Sequence, residues 1–411
     1  FIFLYIRKII KKEDPKRYKE KILSSYFNVS KKDDAKLIWF HAASIGEFKS
    51  IIPIINQLNT KNKNLKFLIT TTTFSSGNMA SVELNKFDNV EHRYFPLDVP
   101  FLIEKFLRLW KPDNIFIVDS EIWPNLILGA HKYKIPMALI NARLTSKSFK
   151  RWMRFPSIAK NIFGKISLFI CSNNETKNYF SQLQLKNFFY KGNIKLIDQI
   201  DINKIKDINE KFLSDNRFWF AASIHSGEEI VCLKTHVNLK EKFNDIVTII
   251  APRHVDRSKE IYVLSKKFNL EAQILEKDHV IPRGKEIIIV NYFGALQNYF
   301  KYAKSVFMGK SMIKSSKNNS GQNPLEAAKL NCKIYHGPYV YNFEEIYKIL
   351  EKYKISKKIE NYNELSENLI HDLDDKSKKE TEISKSIAHL EQETLSETMK
   401  LVDNFLFYEN Q

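Results

Sequence analysis

Short apolar runs alternate with segments of helical spacing through the first half of the chain. Runs at 37–41, 65–71, 90–95, 115–119, 137–141, 168–172 and 188–191 predict strands. Patterns over 48–58, 101–109, 124–132 and 175–183 predict helices between them. Strands without a polar face belong to a parallel sheet covered on both sides. The second half repeats the plan, with predicted strands at 218–223, 246–251, 286–291, 305–308 and 333–336 and helices at 228–239, 256–268 and 324–330. The stretch 198–215 is polar and lacks a strand run, so the domain boundary falls there. The expected layout is an N-terminal segment 1–30, an α/β domain 31–197, a second α/β domain 198–360, and charged C-terminal helices 361–411. Two open sheets of this kind predict facing Rossmann-like domains with a cleft between them, ligands binding beyond the carboxyl ends of the strands.

Composition narrows the class. A chain of 411 residues, 44% hydrophobic and 13% aromatic, has enough apolar side chains for two or three cores and is not a disordered sequence. Three cysteines, Cys171, Cys232 and Cys332, make neither a disulfide framework nor a zinc spacing, which fits a reducing compartment. The net charge of +18 is unevenly placed: residues 1–195 hold 33 Lys and Arg against 15 Asp and Glu, and residues 196–411 hold 32 of each. The first half therefore suits an anionic membrane, an acidic substrate or nucleic acid. The opening ten residues, FIFLYIRKII, are apolar and are followed by Lys11, Lys12, Lys16, Arg17, Lys19 and Lys21. They are too short to span a bilayer and read as an interfacial anchor with a basic collar, or as an amphipathic helix packed on the core.

Candidate chemistry gathers where predicted strands end. His41-Ala-Ala-Ser44-Ile-Gly46-Glu47 turns at glycine and opens a helix, whose dipole favours the Glu47 anion. A carboxylate there either caps the helix or takes a proton from a substrate hydroxyl. Asp119 and Glu121 lie two apart at another strand end, before Trp123-Pro124. Thr70–Thr73 and Phe74-Ser-Ser76-Gly77 read as a hydroxyl-rich turn suited to an oxyanion. In the second half, Ser223-Ile-His225-Ser-Gly-Glu228-Glu229, Pro252-Arg253-His254 and Gly321-Gln-Asn323-Pro324-Leu325-Glu326 repeat the theme, each open to a plain reading as a turn with a cap. Together they favour a nucleotide-type ligand. The histidines show no paired metal-ligand spacing, and Asp372-Leu-Asp374 sits in a charged helical tail that reads as a solvated face. No nucleophile elbow and no zinc-finger or RNP motif occurs, so neither a serine hydrolase nor a nucleic-acid binder is indicated.

In order and spacing these motifs resemble the 3-deoxy-D-manno-octulosonic acid (Kdo) transferases of bacterial lipopolysaccharide synthesis. The likeness runs through His41–Glu47, Thr71–Gly77, Tyr94–Pro100, Ser120–Leu126, Asn141–Leu144, Gly192–Lys195, Ala222–Glu229, Pro252–His254, Asn323–Ala328 and Gly337–Phe343. It implies an inverting glycosyltransferase of the two-Rossmann (GT-B) type, working without cofactor or metal. The donor would be CMP-Kdo and the acceptor a lipid A precursor at the cytoplasmic face of the bacterial inner membrane. The same resemblance makes Glu47 the general base and Glu121 and Lys195 transition-state supports. It assigns Ser223, His225, Glu228, Pro252, Arg253, His254, Gly294 and Asn323–Glu326 to the donor, and Ser44, Gly46, Thr72, Ser76 and Arg143 to the acceptor. Three positions depart from the family pattern: Lys310 where a second glycine is common, Gln322 where histidine is usual, and Ala295 where a glutamate is expected. The alternatives are another GT-B sugar transferase, a sugar-nucleotide epimerase, or a non-enzymatic basic protein of the membrane periphery or of nucleic acid.

Overall fold

The structure, a computed structural model, describes residues 7–8, 13–23, 26, 35–198, 200–314, 320–374 and 381–407. The expected anchor over residues 1–10 lies outside the described residues except for Arg7 and Lys8, as does the polar run 315–319. Among the described residues no helix is long and apolar enough to cross a membrane.

The chain divides into two compact units, residues 1–199 with 390–411, and residues 200–389. The first holds seven strands: β1 (Lys36–His41), β2 (Leu65–Thr71), β3 (Val90–Tyr94), β4 (Asn114–Val118), β5 (Met137–Ala142), β6 (Leu168–Cys171) and β7 (Phe188–Tyr190). They are ordered β3-β2-β1-β4-β5-β6-β7, and every pairing is parallel. The inner strands are apolar on both faces because both faces are covered. Along β1, Leu37 and Trp39 enter one core with Ile115 and Ile117 of β4. Ile38 and Phe40 enter the other with Phe116 and Val118. A side chain on a strand alternates between faces, so one six-residue strand serves two cores.

The second unit repeats this with β8 (Phe218–Ile224), β9 (Val247–Pro252), β10 (Ala272–Leu275), β11 (Ile287–Val290), β12 (Ser305–Met308), β13 (Lys333–His336) and β14 (Ser356–Lys358), ordered β10-β11-β9-β8-β12-β13-β14. The pairings are again parallel. Both units are therefore doubly wound α/β domains, as the sequence pattern implies. In each, the strand order reverses beside the unit's first strand, between β1 and β4 and between β8 and β12, and a reversal of this kind opens a crevice at the carboxyl ends.

The segment 361–411 does not form a body of its own. Helix Tyr362–Asp374 belongs to the second unit, while Thr381–Phe407 starts there and continues into the first. Asp372 accepts hydrogen bonds from Ser305 Oγ at 2.7 Å, Tyr335 OH at 2.6 Å and Lys333 Nζ at 3.2 Å. It docks its helix on β12 and β13. The stretch 210–215, expected as part of a linker, is a short helix.

Candidate active site

Glu47 stands in the first turn of helix Ile45–Lys61, directly after β1. Ser44 caps that helix, which fixes the glutamate's direction. Ala43 N–H donates to Glu47 Oε2 and Ser44 Oγ donates to Oε1, both at 2.8 Å. The carboxylate is largely buried, and its pKa is pushed up by that burial. The Asp119 charge adds to the effect, while the Ser44 and Ala43 bonds and the Lys195 ammonium oppose it. A carboxylate that is buried yet still ionisable is a stronger base than a solvated one.

Across the β1/β4 reversal lie the residues after β4. Asp119 is buried with φ +65°. Lys195 Nζ pairs with its Oδ2 at 2.5 Å, and Ser120 Oγ donates to Oδ1 at 3.0 Å. Lys195 belongs to the single turn Ile194–Ile197 that Asn193 caps, and Asn141 Oδ1 accepts the Ile194 N–H at 3.1 Å. Glu121 is half-buried, and its pKa is raised to about 7 by burial first, then by the Glu47 charge, with Asp119 adding less. The structure thus brings Glu47, Asp119, Glu121 and Lys195 into one electrostatic group. His41, at the end of β1, is fully buried and held neutral by that burial, and its ring lies 4.1 Å from the Phe95 ring, which in turn lies 5.2 Å from Trp123.

The expected acceptor residues separate. Ser44 and Gly46 accompany Glu47 at the helix start, and a Cβ on Gly46 would meet nothing within 4 Å. Arg143 is half-buried just past β5. Thr72 follows β2, its carbonyl accepting from Lys21 Nζ at 2.7 Å. Ser76 is turned inward. It lies on helix Phe74–Glu83, and its buried hydroxyl accepts the Thr73 N–H at 3.2 Å in a capping box and has the carbonyls of Ala43 and Thr73 within hydrogen-bond distance. The hydroxyl-rich turn read at Phe74–Gly77 is therefore a helix start. Gly77 is needed there because a Cβ would come within 2.1 Å of the Tyr94 hydroxyl.

In the second unit a pocket of about 360 Å3 opens at the strand ends. Ser223, Pro252, Arg253, Gly294 and Glu326 line it, together with Tyr292 and Ala295. Ser223 has φ +56° at an irregularity of β8, and Gly294 has φ +87° with open space where a Cβ would point. Gln297 Nε2 donates to Glu326 Oε1 at 3.3 Å. Asn323 is exposed, and its Oδ1 accepts the Leu325 N–H at 3.1 Å; Pro324 and Leu325 are buried beneath it. His225 and His254 lie with ring centroids 5.9 Å apart. The His225 pKa is lowered to about 4 by burial first, then by Lys310, His254, Arg253 and Arg257. Lys310, Arg253 and Arg257 around one imidazole give this rim a positive potential.

Glu228, expected as a donor contact, points elsewhere. It is fully buried and accepts four backbone N–H groups: His225 at 2.9 Å, Lys310 at 2.7 Å, Ser311 at 2.7 Å and Met312 at 2.9 Å. Its oxygens are spent on joining the loops after β8 and β12. Sequence reasoning had no signal for this, because a helix-start glutamate that faces a ligand and one that faces backbone look alike. Asn141 and Asn193, which hold Lys195 in place, were also not singled out. Among the described residues no group of three His, Cys, Asp or Glu is arranged to hold a metal ion.

Residues 16–197 match the family model described as 3-deoxy-D-manno-octulosonic-acid transferase (kdotransferase). The probable mitochondrial 3-deoxy-D-manno-octulosonic acid transferase of Arabidopsis thaliana is 34% identical over 328 residues, covering 77% of this chain and 72% of that protein. The 3-deoxy-D-manno-octulosonic acid transferase of Rickettsia bellii is 29% identical over 411 residues, covering 98% and 96%. Among solved structures, a UDP-N-acetylglucosamine 2-epimerase from Listeria monocytogenes, described as putative in its own name, superposes with a TM-score of 0.59 over 92% of this chain and 98% of that one. Its identity is 14%, so it speaks for the two-Rossmann fold alone. With motifs, fold and relatives in agreement, this chain belongs to the 3-deoxy-D-manno-octulosonic acid transferase family of glycosyltransferases.

Proposed function

We propose that this chain transfers Kdo from CMP-Kdo to a hydroxyl of a lipid A precursor, with inversion at the anomeric carbon. The observation that carries the reading is Glu47. It is a buried, basicity-enhanced carboxylate oriented by Ala43 and Ser44 at a strand-order reversal, with the Asp119–Lys195 pair acting on it and its own charge acting on Glu121. Glu47 takes the acceptor hydroxyl proton as its oxygen bonds to the anomeric carbon. The bond from that carbon to the phosphate oxygen breaks, and CMP leaves with the electron pair. Ionised Glu121 offsets positive charge developing on the sugar ring. In the second unit Arg253 and the His225 rim receive the donor's anionic groups, and Glu326 its polar hydroxyls.

The setting is an anionic membrane. Residues 122–174 contain nine Lys and Arg and no Asp or Glu. Within them, the connection between helices Ser146–Trp152 and Pro156–Phe163 exposes Met153 and Phe155, and the second helix exposes Ile158, with Phe155 64% and Ile158 55% exposed. Lys147, Lys150, Arg151, Arg154 and Lys160 are exposed around them. Apolar side chains ringed by cations suit the cytoplasmic surface of such a bilayer.

The deciding experiment incubates the protein with CMP-Kdo and a tetra-acylated lipid A precursor and weighs the lipid by mass spectrometry. Addition of Kdo, absent with UDP-sugars, is expected. Turnover of a UDP-sugar without Kdo transfer would overturn the reading in favour of another sugar transferase or an epimerase.

A further inference from the structure

We propose that Lys310 is an anion-binding residue of the donor site, its ammonium set against the phosphate or carboxylate of the donor. This rests on the reading that the second unit holds CMP-Kdo.

The first observation is conformational. Lys310 has φ +61°, in the left-handed region where a side chain costs energy and glycine does not. Of the non-glycine residues described with positive φ, Lys111, Lys134, Gln184, Asn269, Asn331 and Lys354 fall just after helices, where such a conformation is ordinary, and Asn187 and Asp278 lie in the connections before β7 and after β10. Asp119, Asn141, Ser223 and Lys310 instead sit at the carboxyl ends of β4, β5, β8 and β12. Asp119 and Asn141 belong to the catalytic group and its support, and Ser223 lines the donor pocket. Strain of this kind persists where surrounding structure enforces it and gathers at working sites. Lys310 completes the set.

The second observation is how firmly its backbone is held. Its N–H donates to Glu228 at 2.7 Å, and its carbonyl accepts the Gly321 N–H at 2.7 Å. The preceding Gly309 lies against β8 so closely that a Cβ there would come within 2.4 Å of the Ser223 carbonyl oxygen. The lysine therefore stands beside a pocket-lining residue, on a backbone that cannot relax away. The third is electrostatic. Among charged neighbours Lys310 has the largest effect on His225, ahead of His254, Arg253 and Arg257. Among the described residues no carboxylate pairs with its ammonium. A cation kept at a strained position, in a cluster already rich in cations, adds repulsion that an anionic ligand relieves.

The test uses the full-length protein with Lys310→Gly, Lys310→Met and Lys310→Arg, titrated calorimetrically with CMP and with cytidine and assayed for the KM of CMP-Kdo. Glycine relieves the backbone and removes the charge, so its Tm is expected to stay level or rise while CMP affinity falls about tenfold, one charge-assisted hydrogen bond. Methionine should show the same loss, arginine should restore binding, and cytidine affinity should not change. If CMP affinity holds but the KM for CMP-Kdo rises about tenfold, the carboxylate rather than the phosphate is the partner, and the proposal stands. Unchanged values for both ligands in Lys310→Gly and Lys310→Met would overturn it. The donor reading fails separately: a wild-type protein that binds neither CMP nor CMP-Kdo refutes that reading, whereas intact wild-type binding weakened by Arg253→Ala but not by Lys310→Met refutes Lys310 alone.

Discussion

Burial pushes both Glu47 and Glu121 upward, the Glu47 charge adds to Glu121 and Asp119 adds to both, yet the roles proposed for them differ in what the proton must do. Glu47 gains a proton in the step, so Glu47→Gln, which keeps the shape and loses the base, is expected to lower kcat roughly 10²–10⁴-fold. CMP binding, measured by calorimetry, should be unchanged; near-normal turnover would remove Glu47 from the mechanism. Glu121 must be ionised to offset positive charge on the sugar, and its pKa stands at about 7. The kcat profile should therefore rise with pH through about 7, and Glu121→Gln should flatten that limb; a flat wild-type profile would contradict the role. Stability runs the other way. A carboxyl whose pKa is raised on folding from 4.5 to about 7 holds its proton more tightly in the folded chain. Its contribution is complete below about 4.5 and is lost as pH rises through about 7. Glutamine copies the neutral form, so Glu121→Gln should raise Tm relative to wild type more at pH 8 than at pH 5, read by thermal scans. The same residue then loses activity and gains stability, a combination that a merely structural glutamate would not show.

At the scale of elements, legibility in the sequence followed burial. The inner strands of both sheets carried unbroken apolar runs because both their faces are covered, and β2, β12 and β13 begin and end where the pattern places them. The strands missed are β10 and β14, at the two edges of the second sheet. Ala272–Leu275 is only partly buried in its middle, and Ser356–Lys358 exposes both its lysines, so neither offered a run to read. Helix starts were visible but their facing was not. Glu47 was recognisable as a first-turn acid, whereas Glu228, in the corresponding place after β8, turned out to be a backbone clamp. That difference is testable. Glu228→Gln replaces one acceptor oxygen with a donor aimed at N–H groups already present, leaving buried donors without partners. Each orphaned group costs roughly 1–3 kcal/mol, so a loss of about 3 kcal/mol or more is expected in urea unfolding of the second unit. CMP affinity should fall as well, since His225 and Lys310 lose their anchor. A stability within about 0.5 kcal/mol of wild type would show that the clamp does not act as argued.

On the whole molecule, most of the excess positive charge falls on the unit that carries the proposed catalytic group, and membrane binding should follow it. Binding to vesicles with anionic lipid is expected to weaken with salt, and Phe155→Ser with Ile158→Ser to weaken it further without altering turnover of a short-chain soluble acceptor. Vesicle binding untouched by both would place the contact elsewhere. The other long-range feature is the last helix, which the charged pattern of the tail concealed. Its later part leaves the second unit and completes the first. Met399, Val402, Phe405 and Leu406 join the core formed by Ile38, Phe40, Phe48 and Phe116. Phe405 meets Phe116 edge-on with centroids 5.3 Å apart, and Lys36 Nζ donates to the Leu406 carbonyl at 2.6 Å. Each of those four side chains is worth about 1.5–3 kcal/mol in burial, so together they contribute roughly 6–12 kcal/mol. A domain's whole stability is only about 5–15 kcal/mol. Removing residues 390–411 should therefore unfold the first unit rather than trim it, leaving a single thermal transition from the second. A peptide of residues 381–411 supplied in trans should restore the missing transition and, with it, turnover. If the truncated protein kept both transitions and its activity, the first sheet would be self-sufficient, and the returning helix would be only a cover.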